Sequence, residues 1–173
     1  MLTHSVSDLI QAPPGTTRKV VIDEPRPRLG PELTLAGPLR GTARLHRIQH
    51  GLLVQCDLTA TITCECGRCL QPTTRELQAH FDEEFRFSGE SDEPDTFWVT
   101  DQHILDLTEA ARQYLVLELP INPVCRPDCP GLCPLCGEPL QDHECRAALS
   151  NASAAWGPLA ELLQIDGKQR LSS

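Results

Sequence analysis

One stretch decides the fold of this chain: residues 52–64 read LLVQCDLTATITC. Apolar side chains, including Cys56 and Cys64, occupy every even position, whereas polar side chains occupy nearly all the odd ones. Successive side chains of a β-strand point to opposite faces of a sheet, so this pattern predicts a long strand with one buried and one wet face. We expect Cys56 and Cys64 to lie on the buried face.

A second strand is predicted over residues 73–87. Leu77, Phe81 and Phe85 share one face, and charged side chains share the other. Such half-wet alternation favours antiparallel pairing with the first strand. Weaker patterns predict strands over residues 33–39, 42–48 and 97–99. Residues 11–31 are rich in Pro and Gly, and the segment 1–30 is predicted to be irregular, with a single edge strand near residues 20–22.

After the strands, Asp106-Leu-Thr-Glu109 fits a capping box and predicts a helix over residues 106–119, which Pro120 ends. The element order predicts an α+β fold: an antiparallel β-sheet domain followed by one helix and a small C-terminal cysteine-rich zinc-type module. The predicted segments are an irregular 1–30, a β-rich domain with its closing helix over 31–120, and a metal-type module with a C-terminal helix near 156–163 over 121–173.

Composition narrows the class of protein. The chain has 173 residues, a formal charge of −9 and 40% hydrophobic residues. No apolar run approaches the ~20 residues that a membrane span needs, so we predict no membrane association. The first ten residues lack the basic and apolar regions of a secretory signal, so we expect a cytoplasmic protein. In a reducing compartment, clustered thiols bind metal more often than they form disulfides.

Charge is unevenly distributed along the chain. Residues 1–50 hold seven basic and four acidic side chains, whereas residues 82–95 hold seven carboxylates and one arginine. The overall acidity argues against a general nucleic-acid coat, so any RNA contact should use a local basic set. The acidic stretch is either a solvated loop or an attraction for a basic partner. The local basic set comprises Arg26, Arg28, Arg40, Arg44 and Arg47.

Four cysteines lie within twelve residues near the C-terminus, with the spacing C-x3-C-x3-C-x2-C. Four thiolates at this separation can surround one Zn²⁺ tetrahedrally. The final C-P-x-C-G resembles a zinc knuckle, in which Gly137 supplies a positive φ. The predicted ligands of a structural Zn²⁺ are Cys125, Cys129, Cys133 and Cys136.

Other assignments of the cysteines stay open. The earlier pair Cys66-x2-Cys69 can be half of a two-knuckle zinc ribbon or a redox dithiol, and Cys145 can replace any one ligand. The spacing from Cys129 to Cys136 also matches an iron–sulfur signature, but the chain is far too short for the barrel that accompanies it.

The sequence is poor in catalytic features. His46, His80 and His103 have no Ser or Cys partner nearby in sequence, and neither a P-loop nor GxGxxG is present. A site with four cysteine ligands leaves no open position on zinc. We therefore predict a protein that is not an enzyme and has no small-molecule substrate.

Four motifs in order resemble those of one family: Cys66-Gly-Arg-Cys69-Leu, Asp106-Leu107 at a helix start, the cluster 125–137, and Trp156-Gly-Pro-Leu-Ala-Glu-Leu-Leu163. The chain resembles the YceD family, the large ribosomal RNA subunit accumulation proteins. The resemblance implies a role in 23S rRNA accumulation or processing, with the large-subunit precursor, its 23S rRNA or a basic ribosomal protein as partner. Some members keep only the first cysteine pair, which favours a self-contained site at 125–136.

Two further interpretations stay open beside this one. The protein can be a zinc-stabilised adaptor between proteins outside the ribosome, or a thiol redox or metal sensor.

Overall fold

A computed structural model describes residues 2–25, 27–87 and 96–141 of the chain. The described residues form seven strands and two helices: β1 (Thr3–Ser5), α1 (Ser7–Gln11), β2 (Thr17–Glu24), β3 (Leu39–Arg47), β4 (Gly51–Glu65), β5 (Pro72–Phe87), β6 (Phe97–Val99), β7 (Ile104–Asp106) and α2 (Thr108–Leu117). The fold in this part of the chain is mostly sheet. Neither described helix is long and apolar enough to cross a membrane.

The two long predicted strands, β4 and β5, pair antiparallel along their whole lengths, with Cys56 opposite Phe81. The predicted alternation is confirmed, because the even positions of β4 from Leu52 to Ile62 are all buried. On β5 the aromatic rings of Phe81 and Phe85 are buried on the same side of the sheet. These two strands therefore supply the centre of the hydrophobic core.

The main sheet has the strand order β2-β3-β4-β5-β6. Its first four strands are antiparallel, as predicted, but β6 pairs with β5 in parallel, from Phe85 opposite Phe97 to Phe87 opposite Val99. The sheet is therefore mixed. Half-wet alternation favours antiparallel pairing in a long strand, but the three residues of β6 are too few to show such a pattern.

The N-terminal thirty residues are more regular than predicted. The predicted edge strand is confirmed as β2, which extends over eight residues at one edge of the sheet. The short strand β1 pairs with β7 in a separate two-stranded sheet, with His4 opposite Leu105. The sequence around residues 3–5 contains no pattern that predicts β1, because this strand forms by pairing with a segment about a hundred residues away. The strand predicted over 33–39 begins only at Leu39, and Leu35 forms a single bridge to Ile62.

Helix α2 covers residues 108–117 of the predicted 106–119 and buries Ala110, Ala111 and Leu115. The predicted capping box does not form. Asp106 accepts a hydrogen bond from the Thr108 N–H, but Glu109 binds Arg112 instead of reaching back to the helix start. A charge-assisted bidentate pair with a guanidinium is stronger than a bond to one neutral N–H group, which explains the difference.

The chain divides into two compact units. The larger unit comprises residues 1–67 and 71–127, and it contains every strand and helix named above together with the core. The smaller unit comprises residues 68–70 and 128–173, of which 68–70 and 128–141 are described. The predicted C-terminal helix near 156–163 lies outside the described residues. The segmentation predicted at residues 30 and 120 stays a prediction.

Candidate metal centre

The first cysteine motif follows directly from the end of β4. The Cys66 N–H donates to the Gln71 carbonyl at 2.9 Å, which closes a turn between β4 and β5. The next N–H, of Gly67, donates to the Pro123 carbonyl at 2.7 Å. A Cβ atom at residue 67 would lie 2.1 Å from Oδ1 of Asn122, so a larger residue here would require the Asn122 side chain to move. The turn after β4 is thereby held against the segment that leads into Cys125.

The second motif has one hydrogen bond from the first motif and further hydrogen bonds of its own. Nη1 of Arg68 donates to the Cys129 carbonyl at 3.2 Å. Further along, the Cys133 N–H donates to the Glu138 carbonyl and the Gly137 N–H donates to the Cys133 carbonyl. Gly137 has φ +77°, as the knuckle-type turn predicted. The turn expected at Cys133–Gly137 is therefore present.

The structure brings four cysteines together. The Sγ atoms of Cys66, Cys69, Cys125 and Cys129 all lie within 4.8 Å of one another. Three of these cysteines are buried, and Cys125 is half-buried. The short hydrogen bond from Gly67 to Pro123 and that from Arg68 to the Cys129 carbonyl each join one motif to the other. Each motif thus contributes two thiols to the group.

This grouping differs from the predicted one. Cys125 and Cys129 belong to it together with Cys66 and Cys69, which were predicted as alternative ligands. Cys133 and Cys136 are not in this group, and their role as ligands stays a prediction. Proximity in sequence favoured the set within 125–136, whereas contact between two distant turns decides the observed group. Cys145, the remaining alternative ligand, lies outside the described residues.

The four-cysteine group has the chemistry of a metal site. A tetrahedral ion with Zn–S bonds of ~2.3 Å holds its sulfur atoms about 3.8 Å apart, which the upper limit of 4.8 Å accommodates. No cysteine in the described ranges forms a disulfide. Four soft thiolate donors suit Zn²⁺ and leave no coordination position for a substrate. The group is therefore able to hold a metal ion.

The two remaining strand cysteines belong to the core, as predicted. Cys56 is fully buried on the apolar face of β4, and Cys64 packs partly buried against the same core. Burial, and to a lesser degree the charge of Asp57, raises the pKa of the Cys56 thiol to about 12. A thiol held in its protonated form is a poor metal ligand and a poor nucleophile.

The predicted basic set separates into different environments. Arg40 and Arg44 are exposed on one face of β3, and Arg40 lies 3.5 Å from Asp23. Arg47 has the opposite parity: its guanidinium lies over the Phe87 ring at 4.5 Å and donates to backbone carbonyls. It therefore has a structural role. Arg28 lies in the segment between β2 and β3, and residue 26 is outside the described part of the chain.

The acidic stretch is described only as far as residue 87. Glu83 accepts a hydrogen bond from the Tyr114 hydroxyl of α2, and this contact raises the pKa of the tyrosine. Asp82 and Glu84 lie on the solvent face of β5 instead, opposite Gln55 and Leu53. Residues 88–95, which carry the rest of the acidic stretch, lie outside the described residues.

The solvent face also contains a polar hollow that the sequence did not single out. It has a volume of about 220 Å³. No single segment of the sequence predicts the hollow, because its lining residues come from four strands, β2 to β5, and meet only through the register of those strands. The lining residues are Lys19, Thr42, Arg44, Gln55, Asp57 and His80.

Comparison with known proteins adds the context for this geometry. Uncharacterised proteins of Mycobacterium tuberculosis and Mycobacterium bovis are each 36% identical to the chain over 129 residues, which cover 69% of this chain. The chain spans 59% of the length of these relatives. An uncharacterised protein of Mycobacterium leprae is 29% identical over 154 residues, covering 82% of this chain and 68% of that protein. No solved structure matches the chain significantly.

The family comparison covers most of the described fold. Residues 54–163 match the family described as "Large ribosomal RNA subunit accumulation protein YceD". The matched range contains β5, α2 and all four clustered cysteines. This chain therefore belongs to the YceD family.

Proposed function

We propose that the protein is a cytoplasmic, non-enzymatic ribosome-biogenesis factor that supports 23S rRNA accumulation or processing and assembly of the large subunit. The observation that carries this proposal is the family match over residues 54–163, because the family is described by large ribosomal RNA subunit accumulation. The proposed partner is the large-subunit precursor, through its 23S rRNA or a basic ribosomal protein. A closed four-thiol group supports a structural role for the cysteines.

A strain that lacks the protein tests this function. We expect less 23S rRNA relative to 16S rRNA, and fewer free 50S particles relative to 30S, with both restored by the full-length chain on a plasmid. Quantitative RNA electrophoresis and sucrose-gradient profiles measure these ratios. Unchanged ratios in the deletion strain would contradict the proposal and favour an adaptor role outside the ribosome.

We also propose that Cys66, Cys69, Cys125 and Cys129 bind one structural Zn²⁺. The support is the mutual Sγ distance limit of 4.8 Å, the burial of three of the four thiols and their soft donor chemistry. When bound, the ion would cross-link the turn after β4 to the segment that follows α2. The alternative ligand set is the one within residues 125–136 that spacing alone favours.

Elemental analysis of the purified, reduced full-length protein separates the two ligand sets. We expect about one Zn²⁺ per chain in the parent protein and in Cys133→Ser, but close to none in Cys66→Ser. Cys64→Ser is the matched control, because Cys64 lies only two residues away and packs against the core instead of joining the cluster. Zinc lost from Cys133→Ser and retained in Cys66→Ser would contradict this ligand set and favour the one within 125–136. An absence of metal from folded parent protein would contradict both.

A further inference from the structure

The solvent face of the main sheet separates charge by strand. On β2 and β3 it presents Lys19, Arg40 and Arg44 with one carboxylate, Asp23. On β4 and β5 the same face presents mainly carboxylates and amides. The carboxylates and amides are Asp57, Asp82, Glu76 and Glu84 together with Gln55 and Gln78. Arg86, which lies 3.4 Å from Glu84 near the end of β5, is a basic exception. The polar hollow lies where the basic and acidic halves of this face meet.

Two cations of the hollow lie side by side. Lys19 and Arg44 are direct cross-strand partners on β2 and β3, and both are exposed. Like charges placed directly opposite each other destabilise a strand pair. In the described part of the chain neither cation forms an ion pair, whereas the next basic residue along β3, Arg40, lies near Asp23. This arrangement is unfavourable in the isolated protein, and a bound anion would relieve it.

The remaining walls of the hollow are polar and held by hydrogen bonds. Nδ1 of His80 lies 2.7 Å from Oδ1 of Asp57, so the carboxylate already has a partner. The Gln55 amide donates to Asp82 at 3.2 Å, and its oxygen lies 3.0 Å from Nε2 of His46. Thr42, which also lines the hollow, contributes a small hydroxyl side chain. The hollow is thus a preformed concavity, with two cations on one side.

We propose that this hollow binds a phosphate group of the RNA backbone, with Lys19 and Arg44 as the charged contacts and Thr42 as a hydroxyl donor. The inference rests on the proposed function and names the surface by which the protein meets RNA. Lysine and arginine side chains and hydroxyl groups are the common phosphate ligands in protein–nucleic acid contacts. Arg40 lies about 13 Å along β3 from Arg44 on the same face and extends the track toward a further phosphate.

The composition of this face favours backbone contacts over base contacts. Strands β2, β3 and β4 contain no Phe, Tyr or Trp on which a base could stack. Recognition of single-stranded RNA by its bases depends on such aromatic platforms. Binding here should therefore depend little on base sequence, and the surrounding acidic surface should confine RNA to this track.

Fluorescence anisotropy with a labelled single-stranded oligouridine probe tests the proposal on the full-length protein. Lys19→Gln/Arg44→Gln removes both charged contacts. Arg86→Gln/Arg112→Gln is the matched control, because it removes the same charge from residues that do not line the hollow. We expect the first variant to bind about tenfold more weakly at low salt. Its salt dependence, as the slope of log K against log salt, should fall by about 0.7 to 1.4, as one or two phosphate contacts are lost. The control should bind like the parent.

Asp57→Asn gives a test in the opposite direction. It removes the carboxylate found among the described lining residues and keeps the side-chain shape. We expect tighter RNA binding, whereas unchanged or weaker binding would overturn the phosphate assignment. Thermal unfolding of each variant checks that these exposed substitutions leave the fold intact.

Several results would overturn the proposal. One is RNA affinity in Lys19→Gln/Arg44→Gln that equals the parent's; another is an equal loss in the control variant. Saturable binding of inorganic phosphate in calorimetry without RNA binding would assign the hollow to a free anion. Tighter binding of a phosphoserine peptide than of the probe would assign it to a protein partner.

The cellular experiment keeps the two proposals separate. If the deletion strain shows the 23S rRNA defect and Lys19→Gln/Arg44→Gln corrects it fully, the hollow proposal fails and the proposed function stands. If the deletion strain shows no defect, the proposed function fails, and the anisotropy results still decide whether the hollow binds RNA.

Discussion

Helix α2 offers a sharp test of how the sheet is covered. Leu115 is 0% exposed in the core, whereas Leu117, two residues later on the same helix, is 75% exposed. Replacing Leu115 with Ala removes three buried carbon atoms, which costs about 2.4 kcal/mol in transfer free energy alone. The cavity left behind raises the total to about 3 to 4 kcal/mol, because packed surroundings relax only partly. Leu117→Ala should change the free energy of unfolding by less than about 0.5 kcal/mol.

Urea unfolding followed by far-ultraviolet circular dichroism measures the difference. With a slope of about 2 kcal/mol per molar urea, Leu115→Ala should lower the unfolding midpoint by roughly 1.5 to 2 M. Leu117→Ala should stay near the parent midpoint. Equal midpoints for the two variants would refute the packing of α2 on the sheet through its Leu115 side.

Three further outcomes follow from particular contacts. Arg47→Gln should destabilise the fold by about 1 to 2 kcal/mol in urea unfolding, since it removes the stacking on Phe87 and charge-assisted bonds to carbonyl groups; an unchanged midpoint would argue against the structural role. The hydrogen bonds between Glu109 and Arg112 hold the pKa of Glu109 below its ordinary 4.5. The stabilisation from this pair is therefore complete above pH 4.5, and it is lost as the pH falls through the folded-state pKa. A carbon-detected NMR titration should show this lowered midpoint and its return toward 4.5 in Arg112→Gln. The Cys56 thiol, with its pKa raised to about 12, should resist maleimide at pH 8 until the protein unfolds, and rapid labelling of native protein would contradict its burial.

Much of the sheet was predictable because its signal is local. The period-two pattern of residues 52–64 and 73–87 requires only that one face of each strand be buried, and the structure buries that face. The helix near residue 108 was predictable for the same reason, since its apolar positions and the following proline lie within one short segment. The direction of the strand next to β5 was not predictable: β6 pairs with β5 in parallel, where antiparallel pairing was expected.

For the cysteines, too, one part of the result was predictable from local sequence and another part was not. Sequence alone indicated thiolate chemistry, because nine cysteines in a chain of this length and their close spacing are typical of metal sites. Which four thiols come together depended on contacts between residues about sixty positions apart: the Gly67 N–H on the Pro123 carbonyl and Arg68 on the Cys129 carbonyl. The polar hollow depended on register across four strands, which places Lys19 beside Arg44 and Asp57 beside His80. Local pattern determined which residues form strands and which side chains are chemically competent. Only the tertiary structure decided which of them meet, because pairing and register are set by packing of the whole sheet.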